Sequence, residues 1–168
     1  MANILILGAG SMGTAFAHPC SDNNHSVSII GTHLENDFIK EINSKGKHPT
    51  LNCKIPKNTS FFKFNELENI TNKKIDLIVV AVISKGIEWA SLALSRVLKK
   101  NIPILILTKG LAINNNKFEV LAYKMKRLLK INGIKKTNIS AAAGPCLAKG
   151  LVNRVHTSVI FANSNILV

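Results

Sequence analysis

Within "ILILGAGSMGTAFAHP" (residues 4–19), Gly8, Gly10 and Gly13 fall at GxGxxG spacing, between an apolar run and small residues at helical spacing. One chemistry suits that arrangement. A strand that turns tightly into a helix presents free backbone N–H groups and a partial positive charge, which together hold a dinucleotide pyrophosphate. In this reading Gly8 permits the turn, Gly10 lets the backbone approach the pyrophosphate, and Gly13 lets helix and strand pack closely. Close strand-to-helix packing alone also favours glycine, so the surroundings must decide.

Two further constellations stand downstream. "LTKGL" (residues 107–111) puts Lys109 after an apolar run, at the carboxyl end of an expected strand, where open α/β sheets bind ligands. "AAAGPCLAKG" (residues 141–150) places a Gly-Pro turn after another strand, with Cys146 beside it. Read plainly, Lys109 is either a ligand-facing cation or one more solvated lysine. No base for a Cys146 nucleophile is evident, so a buried or incidental thiol is its default reading.

The elements that must position these residues alternate in type. Residues 3–7, 26–30, 76–82 and 104–107 read as strands, with 76–82 ("DLIVVAV") the clearest central one. A short strand is expected at 60–64, and the last strands at 138–143 and 158–162. Helical patterns cover 11–21, 34–44, 85–98 and 117–129. The segment 45–58, polar and broken by prolines, reads as a surface loop. A β-α-β succession of this rhythm predicts a doubly wound, mostly parallel α/β sheet of Rossmann-like build, with the glycines after the first strand and opening the first helix.

A site for NAD usually carries an acid at the end of the second strand, to bind the ribose hydroxyls. Here "IIGTHLEND" places Gly31, Thr32 and His33 at that point. A carboxylate would repel a 2′-phosphate, and its absence predicts that NADP binds at least as well as NAD. Thr32 can hydrogen-bond the cofactor, or it can cap the next helix; His33 can stack on adenine or meet phosphate. Glu35 and Asp37 are expected inside that next helix.

Composition bounds the rest. The 168 residues suit one domain, and 46% apolar content supports a sizeable core. The net charge of +13 comes from lysines spread in pairs at most, with one Trp and one Tyr. That pattern argues against nucleic-acid binding while leaving attraction of small phosphorylated anions. Cys20, Cys53 and Cys146 show no CxxC spacing, so neither a disulfide framework nor a metal site is expected. No apolar run approaches the roughly 20 residues of a membrane span, and no signal peptide is recognisable. The expected location is cytoplasmic.

Taken in order, "GAGSMGTAFA", "GTHLEND", "DLIVVAV", "LTKGL", "AAAGPCLAKG" and "HTSVIFA" make the chain resemble the N-terminal domain of the NAD(P)-dependent glycerol-3-phosphate dehydrogenases, over essentially its whole length. The resemblance implies NAD or NADP as cofactor and glycerol 3-phosphate or dihydroxyacetone phosphate as substrate, in glycerol-3-phosphate metabolism and phospholipid biosynthesis. The backbones of Ser11 and Met12 would contact the pyrophosphate over the cofactor-binding turn that Gly8, Gly10 and Gly13 shape, and His33, beside Thr32, would fall at or near a cofactor position after the second strand. Lys109 would contact cofactor and substrate, Gly144 and Cys146 the substrate, and Ala148 the cofactor.

Two departures accompany the resemblance. Gly150 stands where the family pattern has Glu. The family is about twice as long, and its helical C-terminal domain carries the principal catalytic lysine and most of the phosphate grip. Residues 1–168 are therefore expected to form a single cofactor domain, incomplete at its C-terminal edge, with 158–162 left as an edge strand. A separate helical domain or a homodimer partner could cover that edge. Such a chain would be inactive alone; the alternative is a non-catalytic NAD(P)-binding or interaction module of the same fold.

Overall fold

The computed structural model describes residues 1–164. The first apolar run forms β1 (Asn3–Leu7), and α1 (Ser11–Asp22) follows the glycines. Then come β2 (Ser26–Ile30), α2 (Asn36–Lys45), a small hairpin of β3 (Lys47–His48) and β4 (Cys53–Lys54), and β5 (Thr59–Phe62). A short α3 (Leu67–Thr71) leads to β6 (Leu77–Val80), α4 (Ile87–Val97) and β7 (Ile104–Ile106). A second hairpin, β8 (Leu111–Asn114) and β9 (Lys117–Val120), precedes α5 (Leu121–Ile131) and β10 (Ile139–Ala143). The described chain closes with α6 (Ala148–Val152) and β11 (Ile160–Asn163).

Seven strands form one sheet in the order β11-β10-β7-β6-β1-β2-β5, parallel throughout except for the antiparallel β10–β11 pair. The expected Rossmann-like, doubly wound sheet is therefore present. β1 lies between β2 and β6, and its last residue pairs with Ile30 on one side and Val80 on the other. Three strand ends thus finish level where the strand order reverses, the place at which such sheets bind ligands.

Alternation along the strands builds two cores. Leu5 and Leu7 face one layer with Ile87, Leu94, Met125 and Leu129 from α4 and α5. Ile4 and Ile6 face the other with Ala17, Ile39 and Ile42 from α1 and α2. Leu5, Ile6 and Leu7 are wholly buried. Each fully buried aliphatic side chain contributes about 1.5–3 kcal/mol, so the sheet centre that carries the glycine turn is the best-anchored part of the molecule.

Several expectations need correction. The helix expected at 117–129 begins only at Leu121, because Lys117–Val120 pairs with Leu111–Asn114. Asn115 and Asn116 both take positive φ (50° and 58°), which is the two-residue hairpin turn that asparagine tolerates. The loop expected at 45–58 contains the β3–β4 hairpin. The helix expected from 85 starts as a 3₁₀ turn at Ser84–Gly86 and becomes α-helical at Ile87. The last strand starts at Ile160 and ends at Asn163, running antiparallel along the sheet edge.

Candidate functional site

The three glycines of the turn answer to three different constraints. Gly8 has φ +111°, and its N–H donates to the Ile30 carbonyl at 2.8 Å. A Cβ there would lie 2.8 Å from the Ala81 carbonyl oxygen. At Gly13 a Cβ would overlap the Gly8 carbonyl oxygen and sit 3.1 Å from the Ala81 Cβ, so only glycine lets α1 lie this close to the turn. Gly10 differs, since a Cβ there would meet nothing nearer than Glu35 Oε1 at 4.0 Å. Its environment is open.

Gly10 is the N-cap of α1 and makes no side-chain capping bond. The amides of Ser11 and Met12, in the first turn of a 12-residue helix, have no intrahelical carbonyl to bond. Free amides, the helix dipole and an open lane beside Gly10 fit a dinucleotide pyrophosphate.

Lys109 follows β7. Its ammonium donates to the Gly144 carbonyl at 2.5 Å and lies 3.5 Å from that of Cys146, joining the loop after β7 to residues 35 and 37 positions further along the chain. Thr108 fixes the neighbouring backbone by donating to the Val82 carbonyl at 2.5 Å. Met12, Lys109 and Cys146 line one cavity of about 230 Å³, with Phe16, Leu107 and Phe161. Gly144 has φ +115° and a carbonyl neighbour, Ser158, 2.5 Å from where a Cβ would stand. Ala148 opens α6, which packs on α1 and is tied to it by the bidentate Arg154–Asp22 pair at 2.8 and 2.9 Å. At Gly150 a Cβ would have nothing within 4 Å.

The end of β2 differs from expectation. Glu35 is not inside α2; it is the N-cap residue, and its side chain turns back. Oε2 accepts the Thr32 N–H at 2.7 Å and the Ala9 N–H at 3.3 Å. Thr32 therefore does not cap α2. His33 packs against Trp89 with the rings tilted by 43° and their centroids 5.2 Å apart, and Trp89 also meets Phe64 at 4.9 Å. Neither Thr32 nor His33 lines the cavity that holds Lys109.

One residue had no role in the sequence reading. His48 is completely buried, and its Nδ1 accepts the Leu51 N–H at 3.1 Å. The proton therefore sits on Nε2, which donates to the Ala9 carbonyl at 3.2 Å. Ala9, at the centre of the glycine turn, is thus held at its N–H by Glu35 and at its C=O by His48. A polar, proline-broken segment gave no sign of this, because the histidine is placed by a hairpin of two-residue strands.

Burial holds the His48 imidazole below its ordinary value, outweighing the opposing Ala9 hydrogen bond and Glu35 charge. Burial also lowers His18, helped by the Arg154 charge. A lowered folded pKa means that the unfolded chain binds the proton first. The stability conferred by the neutral rings is complete above about pH 6.5 and is lost as pH falls from there through the folded values. Urea unfolding between about pH 7.5 and about pH 5.5 should show the midpoint falling with acid, and His48→Ala should weaken that slope. At neutral pH, His48→Ala should cost about 2–4 kcal/mol through the lost volume and the unpaired Ala9 carbonyl. A pH-independent midpoint would contradict this.

Cys53 Sγ lies 3.7 Å from His18 Nε2. Burial raises the thiol and lowers the imidazole, the opposite of what an activated thiolate–imidazolium pair requires. Burial pushes the Cys20 thiol up to about 11. Among the described residues the three cysteines are unpaired, no group of metal-ligating side chains occurs, and no helix is long and apolar enough to cross a membrane.

The level strand ends, the glycine turn and the uncapped first helix define a dinucleotide-binding domain of the Rossmann type. A family model described as NAD-dependent glycerol-3-phosphate dehydrogenase N-terminus matches residues 3–167, and the chain belongs to that family. Its cofactor is NAD or NADP. The chain is 32% identical to a glycerol-3-phosphate dehydrogenase [NAD(P)+] of Rickettsia typhi, with 98% of this chain and 48% of that protein covered. It is 28% identical to an NADP(+)-dependent glycerol-3-phosphate dehydrogenase of Archaeoglobus fulgidus, with 95% of this chain and 46% of that protein covered. Among solved structures, glycerol-3-phosphate dehydrogenase from Coxiella burnetii shares the fold with a TM-score of 0.79 and 22% identity, over 98% of this chain and 47% of that one. The chain thus spans about half the length of these relatives.

Proposed function

We propose that this chain supplies the cofactor half of a glycerol-3-phosphate dehydrogenase, which interconverts glycerol 3-phosphate and dihydroxyacetone phosphate by oxidation or reduction at C2. The observation that carries the reading is Lys109, whose ammonium bridges to the Gly144–Cys146 loop at the same sheet end as the glycine turn and shares a cavity with Met12.

In this reading Gly8, Gly10 and Gly13 shape the pyrophosphate cradle, and the Ser11 and Met12 amides donate into it. Thr32 and His33 flank the adenosine end, and Ala148 approaches the cofactor from the start of α6. When bound, the nicotinamide supplies the hydride chemistry. Lys109 offers three N–H donors and a positive charge to the oxygen on C2, where negative charge develops as the bond order changes. Gly144 and Cys146 form the adjoining wall, Cys146 by shape and backbone rather than as a nucleophile. The net charge of +13 draws phosphorylated substrates toward the site.

Lys109, Gly144 and Cys146 make one wall only. The second wall, with a proton-transferring lysine and a phosphate grip, belongs by this reading to the helical half of the family. The exposed Ile160 and Phe161 on the open edge strand β11 are the surface we assign to that half. The unpaired cysteines support a reducing, cytoplasmic setting.

The test is a fusion of the C-terminal half of the Rickettsia typhi relative after Val168, assayed by NAD(P)H oxidation with dihydroxyacetone phosphate. The fusion should turn over substrate, and Lys109→Ala should lower the rate about 10²- to 10³-fold. A folded, cofactor-binding fusion without turnover, or turnover indifferent to Lys109→Ala, would overturn the proposal.

A further inference from the structure

We infer that His48 is a positioning residue for the cofactor: from the β3–β4 hairpin it holds the Ala9 carbonyl inward and so aims the Gly10 N–H into the lane assigned to the pyrophosphate. The inference rests on the dinucleotide-binding role of the glycine turn and adds to it a residue from outside the turn.

Ala9 C=O and Gly10 N–H belong to one peptide group. In a trans peptide the two point in opposite directions, so fixing one aims the other. The carbonyl end is buried, for Ala9, Thr14 and His48 are all wholly inaccessible. Two donors meet there, His48 Nε2 at 3.2 Å and Thr14 Oγ1 at 3.2 Å, which together use both lone pairs of the oxygen. The opposite end faces open space. A Cβ on Gly10 would meet nothing nearer than 4.0 Å, and the Gly10 N–H makes no hydrogen bond among the described residues. The preceding peptide is fixed as well, since the Ala9 N–H donates to Glu35 Oε2 at 3.3 Å.

The two donors are not equivalent. Thr14 belongs to α1 and would follow the helix if the turn moved. His48 comes from a separate hairpin, 39 residues along the chain, and its ring has little freedom. The Leu51 N–H donates to Nδ1 at 3.1 Å, and Phe38 of α2 packs edge-on against the ring with centroids 5.0 Å apart. A flip of the Ala9–Gly10 peptide would leave the buried Nε2–H without an acceptor and turn the carbonyl toward the lane, where it would repel phosphate oxygens. A buried histidine needs two partners, and any two would satisfy it. Here one of them is the carbonyl whose peptide ends in the lane.

Fluorescence titration of the 168-residue chain with NADH, at about pH 7.5 where the ring is neutral, tests this with two variants. The side-chain amide of Gln reaches the place of Nε2, so His48→Gln keeps the donor for Ala9 and gives up the acceptor for Leu51. Asn sets its oxygen near the place of Nδ1 and is too short for Ala9, so His48→Asn does the reverse. Each variant loses one hydrogen bond, and a merely structural histidine would make the two alike. His48→Asn should weaken NADH by about tenfold, and the conservative His48→Gln should recover wild-type affinity to within about threefold. In the wild type, NADH bound at the Gly10 N–H polarises the same peptide and strengthens the Nε2–H bond at its other end. The ¹⁵N resonance of His48 Nε2 should therefore shift and saturate with NADH. Wild-type affinity in His48→Asn, equal weakening in both variants, or a His48 ring signal unmoved at saturating NADH would overturn the inference while leaving the dinucleotide site intact. The ring signal decides the matter even if both variants fold poorly. Wild type that binds no NADH would overturn the dinucleotide reading and this inference with it.

Discussion

Residues 1–168 alone should reduce dihydroxyacetone phosphate at least about 10⁴-fold more slowly than the fusion that adds a relative's C-terminal half. Lys109 reaches the carbonyls of Gly144 and Cys146, and of these three Lys109 and Cys146 line the cavity. Among the described residues no second lysine lines that cavity, and its other walls are apolar: Met12, Phe16, Leu107 and Phe161. Substrate bound here would be held at its C2 oxygen and left free at its phosphate. Losing a general acid or base typically costs 10²- to 10⁴-fold, and losing orientation multiplies that cost. Parallel assays of NAD(P)H oxidation, with Lys109→Ala in both proteins, measure the difference. Robust, Lys109-dependent turnover by the 168 residues would show that a local group performs the missing proton transfer.

Gly10→Val should weaken nicotinamide dinucleotide binding by at least about 100-fold, near 2.7 kcal/mol, with little change in thermal stability. The separation of the two effects follows from the space around the residue. Gly10 has ordinary extended backbone angles (φ −65°, ψ 179°), and a Cβ there is 4.0 Å from its nearest neighbour. In the proposed reading the valine side chain would enter the lane assigned to the pyrophosphate. Gly13→Val provides the contrast, since its Cβ overlaps the Gly8 carbonyl oxygen and forces α1 off the turn. That variant should lose about 3 kcal/mol or more of folding stability. Titration calorimetry and thermal melts on both variants read the two effects separately. Wild-type affinity in Gly10→Val would show that the cofactor does not cross this residue.

Continuous apolar runs made the central strands readable from sequence, because a strand buried on both faces cannot tolerate polar positions. The glycine turn was readable for a related reason, as Gly8 and Gly13 answer to backbone crowding that any larger side chain would violate, while Gly10 between them leaves a lane open. Lys109 and the Gly144–Cys146 loop could be placed at strand ends, and the fold brings them into hydrogen-bonding contact. What escaped depended on a few residues acting across a fold. The β8–β9 hairpin turns on two asparagines at positive φ, within a stretch whose apolar spacing also suits a helix. His48 is buried by a hairpin too short to show periodicity. Glu35 escaped because its backbone position suggests a helix start, while its side chain serves Ala9, 26 residues earlier. Chain spacing reports where a backbone goes; a side chain that folds back on another loop leaves no such signal.

The most direct measurement is a ¹⁵N amide spectrum of the 168-residue chain titrated with NADH. The Gly10, Ser11 and Met12 amides should show large, saturable shifts, with smaller ones at Ala9 and Thr32 through Glu35. Gly10→Val should abolish all of them. Saturable binding that leaves the residue 8–13 amides unmoved, or no binding of either nicotinamide dinucleotide, would contradict a cofactor site at this turn.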